Sequence, residues 1–303
     1  MREIMNKRRM MIALTLAIVF LISGVALVAC DDEYEGKARR AVDNDNAELR
    51  VFFDDFEEEL DTDVWNVHHE IRKGGYWDSE QAFVEDGNLV LRTVEKDGTY
   101  FSGAIDTMSN FERTFGYYEA RCYLPKASGI WSAFWLMPKT MPTPSSDVSV
   151  AGAEIDIMES PYYNPKTLGD TIPKGKDTYQ CAVHVGDYHD KYIKRENFVN
   201  SNRNLSSTNV SIYDGWHTFG LDWTKDYYRF YFDRQLVYEI ADAQYISTVQ
   251  TGYLFLSVEV GGANGVATKP PFVFANELKK NPEGTFPVDF LVDYVAVYSK
   301  RPF

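Results

Sequence analysis

Residues 153–160 read Ala-Glu-Ile-Asp-Ile-Met-Glu-Ser and hold three carboxylates within six positions, at Glu154, Asp156 and Glu159. The two β-branched isoleucines favour a strand with one buried face, and alternation then puts Glu154 and Asp156 on the opposite face. Strict alternation would put Glu159 with the isoleucines. One extra residue at about Met158, a β-bulge, returns Glu159 to the face of the other two acids.

The spacing of the outer two acids indicates a kind of chemistry. With one residue taken up by the bulge, Glu154 and Glu159 lie four strand steps apart, about 13 Å between Cα atoms. Glutamate side chains that lean toward each other shorten the carboxyl separation to about 5–6 Å, close to the about 5–5.5 Å of a retaining glycosidase. On these residues alone, a solvated acidic face and a cation site remain alternatives.

The N-terminus has the layout of a secretory signal, because basic residues at 2–9 precede an apolar run at 11–29. The motif Leu-Val-Ala-Cys at 27–30 resembles the lipobox of bacterial lipoproteins, in which the cysteine is lipidated. We therefore expect a signal peptide at 1–29, lipidation at Cys30 and tethering to the outer face of a bacterial membrane. An uncleaved membrane-spanning anchor is the alternative, since the run nearly suffices to cross a bilayer.

The remaining chain is strongly acidic. The full chain has a formal net charge of −14, and residues 1–29 hold four basic residues and one acidic residue, so the rest carries −17. This charge argues against nucleic acid and anionic membrane surfaces as partners. Residues 30–48 are charged and poor in apolar residues, which predicts an acidic flexible tether. Residues 49–303 contain no internal linker or repeat, and we expect one catalytic domain that is a monomer.

Alternation in this domain predicts an all-β fold. Short alternating runs recur between turn signals, and long helical periodicity is scarce. Asp86-Gly87 and Asp97-Gly98 are typical of tight hairpins. Many short strands over about 250 residues favour a β-sandwich of jelly-roll type. The clearest runs are residues 88–92, 116–124, 228–232, 254–260 and 291–298.

Aromatic residues and a histidine near the acidic stretch are candidate sugar contacts. On a strand, Trp131, Ala133 and Trp135 share one face, and an aromatic face packs against the C–H surface of a pyranose. Core packing is the alternative for both tryptophans. His184 shares a polar face with Gln180 on another strand, and it either belongs to the same cleft or is a structural histidine.

Two cysteines remain beyond Cys30, namely Cys122 and Cys181. An exported compartment permits a disulfide, but nothing in the sequence places their strands side by side. We therefore favour two buried thiols over a disulfide.

The chain resembles glycoside hydrolase family 16, in the laminarinase-like branch with a bulged active-site strand. The resemblance covers about residues 50–300 and rests on several motifs in a specific order. These are residues 116–121 (GYYEAR), Leu124-Pro125, 131–138 (WSAFWLMP), 154–159 (EIDIME), 216–224 (WHTFGLDWT), 229–233 (RFYFD) and 292–298 (VDYVAVY).

The resemblance implies a concanavalin-like jelly roll whose concave cleft cradles a β-glycan. It implies that Glu154 is the nucleophile, Glu159 the acid/base and Asp156 the helper between them. Gln81 occupies a position that resembles a sugar contact, although the branch often has Glu-Asn-Val where this chain has Glu80-Gln81-Ala82. Gly261-Gly262 leads into Ala263, where the branch often has tryptophan.

No cofactor is required by this chemistry. Some relatives bind a structural calcium through a closing-strand aspartate like Asp293. The corresponding N-terminal segment, residues 54–57, lacks the usual nearby glycine, so calcium is an option rather than an expectation.

The expected function is endo-acting, retaining cleavage of β-1,3- or mixed β-1,3-1,4-glucan by two carboxylates. Two alternatives are a galactan hydrolase of the same family, of agarase or carrageenase type, and a non-catalytic glycan-binding lipoprotein.

Overall fold

The computed structural model describes residues 47–125, 130–161, 178–200, 212–213, 215–267 and 286–303. The predicted signal peptide, Cys30 and nearly all of the predicted tether lie outside the described residues. The described residues form twenty-one strands: β1 (Arg50–Asp54), β2 (Asn66–Val67), β3 (Glu70–Arg72), β4 (Gly75–Trp77), β5 (Ala82–Glu85), β6 (Asn88–Lys96), β7 (Thr99–Ser102), β8 (Ala104–Asp106), β9 (Glu112–Arg113), β10 (Gly116–Tyr123), β11 (Ile130–Met137), β12 (Glu154–Pro161), β13 (Thr178–Gly186), β14 (Tyr192–Asn200), β15 (Trp216–Trp223), β16 (Tyr228–Phe232), β17 (Gln235–Ile240), β18 (Gly252–Val260), β19 (Gly262–Ala263), β20 (Val266–Ala267) and β21 (Val288–Tyr298).

Helical structure is sparse in the same ranges. One α-helix of four residues, α1 (Val148–Ala151), precedes the acidic strand, and two 3-10 turns span Ala47–Leu49 and Ser79–Gln81. No helix in the described part of the chain has the length and apolar character needed to cross a bilayer.

Nineteen of these strands form two large sheets and β19 pairs with β20, which confirms the predicted all-β jelly-roll sandwich. Sheet A has eleven strands in the order β17-β16-β15-β10-β21-β6-β7-β4-β3, with β1 on β21 and β5 on β6. Sheet B has eight strands in the order β14-β13-β12-β11-β18-β8-β2, with β9 on β18. The acidic strand β12 therefore lies inside sheet B, between β11 and β13.

The core lies between the two sheets, because alternate residues of each strand point inward. On β10 the inward residues are Tyr118, Ala120 and Cys122, and all three are fully buried. Strand β18 is buried along all nine residues. Such a strand has cover on both faces, so its outward residues lie beneath further side chains.

The two predicted hairpins are confirmed. Asp86-Gly87 joins β5 to β6 and Asp97-Gly98 joins β6 to β7, each as a two-residue turn. All four turn residues have positive φ, between 52° and 78°. This is the conformation of a type I′ turn, which glycine and aspartate tolerate best and whose twist suits a hairpin.

Cys122 and Cys181 are free, buried thiols, as favoured from the sequence. They lie on β10 of sheet A and β13 of sheet B, and both contribute to the core between the sheets. Burial raises the pKa of both thiols well above the ordinary value, so each stays protonated.

Candidate active site

Strand β12 contains a β-bulge that brings its three acids to one face. Glu154, Asp156 and Glu159 pair with His184, Ala182 and Gln180 of β13. Those three partners are each two residues apart, so they point the same way, and the acids opposite them do too. Two residues of β12 between Asp156 and Glu159 face a single residue of β13, which defines the bulge.

Pairing with β11 identifies the extra residue. Trp135 pairs with Asp156 and Phe134 pairs with Met158, so Ile157 has no partner on that side. The sequence predicted the bulge at about Met158, and the unpaired residue is its neighbour. Both Ile157 and Met158 are buried in the core, with exposures of 1% and 0%. Two consecutive apolar residues therefore turn inward, and the acid that follows turns outward.

The acids line a groove on the outer face of sheet B that is open to solvent. The space between its lining residues is about 400 Å³, and part of this space is open solvent. Both predicted tryptophans lie in its wall. The full lining consists of Arg72, Lys73, Trp131, Ala133, Trp135, Glu154, Asp156, Glu159, Ser257 and Glu259.

Trp131 contacts the third acid directly. Its indole N–H donates to Glu159 Oε1 at 2.9 Å. On the ring face, the Lys73 ammonium lies 5.7 Å from the ring centroid, within reach of a cation–π interaction. The tryptophan is therefore held at its edge by Glu159 and faces the cation with its ring.

A charged cluster occupies the β18 side of the groove. Glu259, on β18, pairs with the Arg72 guanidinium and lies 3.9 Å from the Lys73 ammonium. Arg72 also lies over the ring of Trp77. The hairpin that carries both cations is bound to β18, because Gly74 N–H donates to Val260 O at 2.8 Å.

Stacked aromatic rings form the floor beside this cluster. Trp135 stacks on Phe255 with ring centroids 4.3 Å apart, and its indole N–H donates to Ser257 Oγ at 3.1 Å. Trp135 is 8% exposed. The core alternative for this tryptophan is therefore largely correct, with one edge left at the groove.

His184 lies against the first two acids. Glu154, Asp156 and His184 each place a polar atom within 4.8 Å of the other two. His184 Nε2 lies 3.0 Å from Asp156 Oδ2, an ion-pair distance, although the angle is not that of a hydrogen bond. The other ring nitrogen, Nδ1, is hydrogen-bonded to the Tyr192 hydroxyl. The histidine thus lies against two acids that line the groove.

Burial and mutual repulsion raise the pKa of two of the acids. Burial, followed by the charge of Asp156, raises the pKa of Glu159 well above its ordinary value. Burial, followed by the charges of Glu154 and Glu259, raises the pKa of Asp156 well above its ordinary value, while Lys73 opposes that shift. A carboxyl that retains its proton near neutral pH is suited to act as a general acid.

Gln81, a predicted sugar contact, does not line the groove. It ends the 3-10 turn Ser79–Gln81 and is 6% exposed. Its backbone carbonyl packs so closely on Gly103 that a Cβ there would lie 2.2 Å from it. The turn follows a capping contact in which Asp78 accepts from Glu80 N–H, and it directs Gln81 into the protein.

The residues suggested for calcium are engaged with other groups. Asp293 accepts from Arg121 Nη1–H at 2.6 Å, and both side chains are buried. Asp54 accepts from Phe56 N–H and, at 2.7 Å, from Trp65 Nε1–H. A guanidinium beside Asp293 repels a divalent cation, so these residues do not fit a calcium ion.

Sequence reasoning missed several side chains at the site, and four of them lie in or beside turns. Arg72 and Lys73 lie about 80 residues before the acids, and only the hairpin contact with β18 brings them there. Tyr188 lies in the turn after β13 and Tyr192 begins β14, and the Tyr188 hydroxyl donates to Glu154 Oε2. No periodicity marks any of the four, because each lies in a turn or at the end of a strand, where alternation gives no signal.

The carboxylates and aromatic rings along this open groove are features expected of a site that binds a sugar. The sequence profile of glycosyl hydrolases family 16 matches residues 72–269. The chain therefore belongs to glycosyl hydrolase family 16.

Individual relatives are similar over most of this chain. It is 24% identical over 277 residues to glucan endo-1,3-beta-glucosidase A1 of Niallia circulans, a match that covers 80% of this chain and 36% of that protein. It is 27% identical over 231 residues to a beta-glucanase of Rhodothermus marinus, covering 72% and 70% of the two chains. The laminarinase of Flavobacterium sp. UMI-01 superimposes with a TM-score of 0.58 at 25% identity, covering 82% of this chain and 99% of that one. The chain spans about a third to a half of the length of several curated relatives.

Proposed function

We propose that this protein is an endo-acting, retaining glycoside hydrolase that cleaves β-1,3- or mixed β-1,3-1,4-glucan. The observation that carries the proposal is the bulge in β12, which puts Glu154, Asp156 and Glu159 on one face of an open groove. A binding protein has no need of three mutually repelling carboxyls at this spacing. An open groove suits internal cleavage of a long chain.

Glu159 acts as the general acid in the first step. It carries a proton because burial and its acidic neighbours raise its pKa, and it donates that proton to the glycosidic oxygen. Glu154 attacks the anomeric carbon as the leaving group departs, which forms a glycosyl–enzyme ester. The hydrogen bond from Trp131 to Oε1 orients the Glu159 carboxyl for this transfer.

The second step returns both residues to their starting states. Glu159, now ionised, removes a proton from water, and the resulting hydroxide displaces Glu154 from the anomeric carbon. Two inversions at that carbon give net retention. Asp156 lies between the two residues on the strand, and its protonation state sets the charge that each of them experiences.

The substrate class is supported by the names of the similar proteins. The relatives include a glucan endo-1,3-beta-glucosidase, a beta-glucanase and a laminarinase. The groove offers the two components that a neutral sugar needs, namely tryptophan rings and charged hydrogen-bonding groups.

The first test is substitution of the nucleophile. Glu154→Gln removes the attacking charge and should lower turnover of laminarin by roughly a thousandfold or more, with unchanged glycan binding and thermal unfolding. The matched control is Glu85→Gln, an exposed glutamate on sheet A, which should leave turnover unchanged. Unaltered turnover in Glu154→Gln would exclude the mechanism.

The second test identifies the polymer and the stereochemistry. Laminarin, barley glucan, lichenan, agarose and carrageenan are each incubated with the enzyme, and the products are sized. We expect a ladder of oligosaccharides from the glucans and none from the galactans. Early products followed by NMR should carry the β anomer at the new reducing end; an initial α product would refute a retaining mechanism.

The N-terminal segment supports a further proposal about location. We propose that Cys30 carries a lipid that anchors the enzyme to the outer face of a bacterial membrane, since residues 27–30 match a lipobox. Labelling of cells with a clickable palmitate analogue should mark the wild-type protein and not a Cys30→Ser variant. Equal labelling of the two would exclude this anchor.

A further inference from the structure

The turn between β13 and β14 places a tyrosine on the first acid. Tyr188 lies in this turn, and its hydroxyl donates to Glu154 Oε2. The residue is 37% exposed, so its ring meets solvent. Its φ is +62°, a left-handed conformation that a bulky side chain rarely adopts. Backbone strain of this kind persists where the surrounding structure enforces it.

Specific contacts hold the turn in this shape. Asp187 Oδ1 accepts from the backbone N–H groups of His189 and Lys191 at 2.9 and 3.0 Å. Gly186 has a φ of +113°, and a Cβ at this position would lie 1.7 Å from Lys191 O. Only glycine fits there. These contacts therefore fix the conformation of the turn and the direction of the Tyr188 side chain.

A second tyrosine of the same hairpin reaches the second acid. Tyr192 begins β14, and its ring centroid lies 5.6 Å from that of Tyr188. Its hydroxyl is hydrogen-bonded to His184 Nδ1, and its ring is parallel to the imidazole, with a 3° interplanar angle. The imidazole in turn faces Asp156 at 3.0 Å. One hairpin thus supports both Glu154 and Asp156.

The chemistry of the contact suits a nucleophile. Burial, followed by the charge of Glu154, raises the pKa of Tyr188 well above the ordinary value, so the phenol stays protonated and donates. It engages Oε2 of Glu154 and leaves Oε1 to attack. A carboxylate held through one oxygen loses less orientational freedom when the other forms a bond.

We propose that Tyr188 is a positioning residue for Glu154, and that Tyr192 positions Asp156 through His184. The inference rests on the proposed function, because it assigns the nucleophilic role to Glu154. It assigns a positioning role to the hairpin of β13 and β14, which carries none of the three acids.

The test is Tyr188→Phe, which removes only the hydroxyl and retains the ring. Loss of one hydrogen bond to a charged group should lower kcat by roughly tenfold or somewhat more, with KM within about twofold of wild type. The control is Tyr123→Phe, because Tyr123 is also 37% exposed but lies on sheet A. The control should leave both constants unchanged.

A second measurement follows the nucleophile itself. An activated 2-deoxy-2-fluoro glucan oligosaccharide traps the glycosyl–enzyme, and intact mass spectrometry gives the labelling rate. This rate should fall about tenfold in Tyr188→Phe, and the label should map to Glu154 in both proteins. Asp187→Ala, which loosens the turn, should lower kcat in the same direction even if Tyr188→Phe folds poorly.

The outcomes separate this inference from the proposed function. If wild type hydrolyses none of the glucans, the proposed function fails first. If wild type is active and Tyr188→Phe keeps its kcat and labelling rate, Tyr188 has no positioning role. A higher KM with unchanged kcat would make Tyr188 a sugar contact and would also overturn the inference.

Discussion

Glu159 lies between a hydrogen-bond donor and other acids, and this placement determines the pH at which its carboxyl loses its proton. The Trp131 indole engages one carboxyl oxygen, while Asp156 on the same strand face repels a second negative charge. His184 opposes this repulsion without reversing it. The pKa of Glu159 is therefore raised, so its carboxyl stays protonated at a pH where a solvated glutamate has lost its proton.

The first prediction concerns the pH dependence of kcat/KM. Activity should fall as pH rises through the raised pKa of Glu159, because the general acid is then ionised. Asp156→Asn removes a negative neighbour, so the pKa of Glu159 should fall. The fall of kcat/KM at high pH, which is the basic limb of the profile, should then move to lower pH. Each profile is normalised to its own maximum, since the substitution also lowers activity.

Two further variants make this prediction specific. Glu259→Gln should move the basic limb in the same direction by less, because Glu259 contributes the smaller repulsion. Asp222→Asn, at a buried carboxyl on sheet A, should leave the limb in place. A limb that stays fixed in Asp156→Asn would show that another group controls the profile.

At the scale of the elements, the pairing registers of β11 and β13 show how the bulge in β12 fits between its two neighbours. Trp135 and Ala133 pair with Asp156 and Glu159, and the corresponding β13 residues are also two apart. Both neighbouring strands therefore match a β12 that is one residue shorter. Parity of the acids was enough to predict a bulge, but not to choose between Ile157 and Met158, because both are apolar and both fit the core.

The second prediction is that deletion of Met158 preserves the site. The shortened strand would have continuous pairing on both sides, and its three acids would still share one face. We expect activity within about tenfold of wild type and a loss of about 2–4 kcal/mol in unfolding free energy, because a buried side chain is removed. Hydrolysis assays and thermal unfolding measure the two effects.

Insertion is the matched control for this deletion. One alanine after Met158 separates Glu154 and Glu159 by six residues, so a regular strand keeps both acids on one face but moves them about 6–7 Å farther apart, and activity should be lost. If the deletion variant folds but is inactive, the bulge itself aims Glu159, and matching parity is not sufficient.

Across the whole molecule, the sequence predicted the sandwich better than the groove. Alternating runs such as residues 228–232 correspond to strands, because local alternation reflects burial of one face. The approach of Lys73 to Trp131 depends on a hairpin docking on a distant strand, which no local pattern encodes. Gln81 was misplaced for the same reason, since a capped turn decides its direction.

The third prediction uses the two core thiols. Because burial keeps Cys122 and Cys181 protonated and inaccessible, a thiol-specific reagent should label neither in the native protein. Both should label together in denaturant, and the labelling rate should follow global unfolding. A reductant should leave Tm unchanged. Rapid labelling of one thiol would show that the sheets separate locally.

The position of β21 has a consequence for synthesis. Residues 288–298 pair with β10, β6 and β1 in the interior of sheet A, yet every other strand of the described residues precedes them in the sequence. During translation, those three strands keep unpaired hydrogen-bonding edges until the last strand leaves the ribosome. The nascent chain is exposed to edge-to-edge association throughout that interval, and a chaperone that covers strand edges would raise the yield of this protein more than one that acts after release.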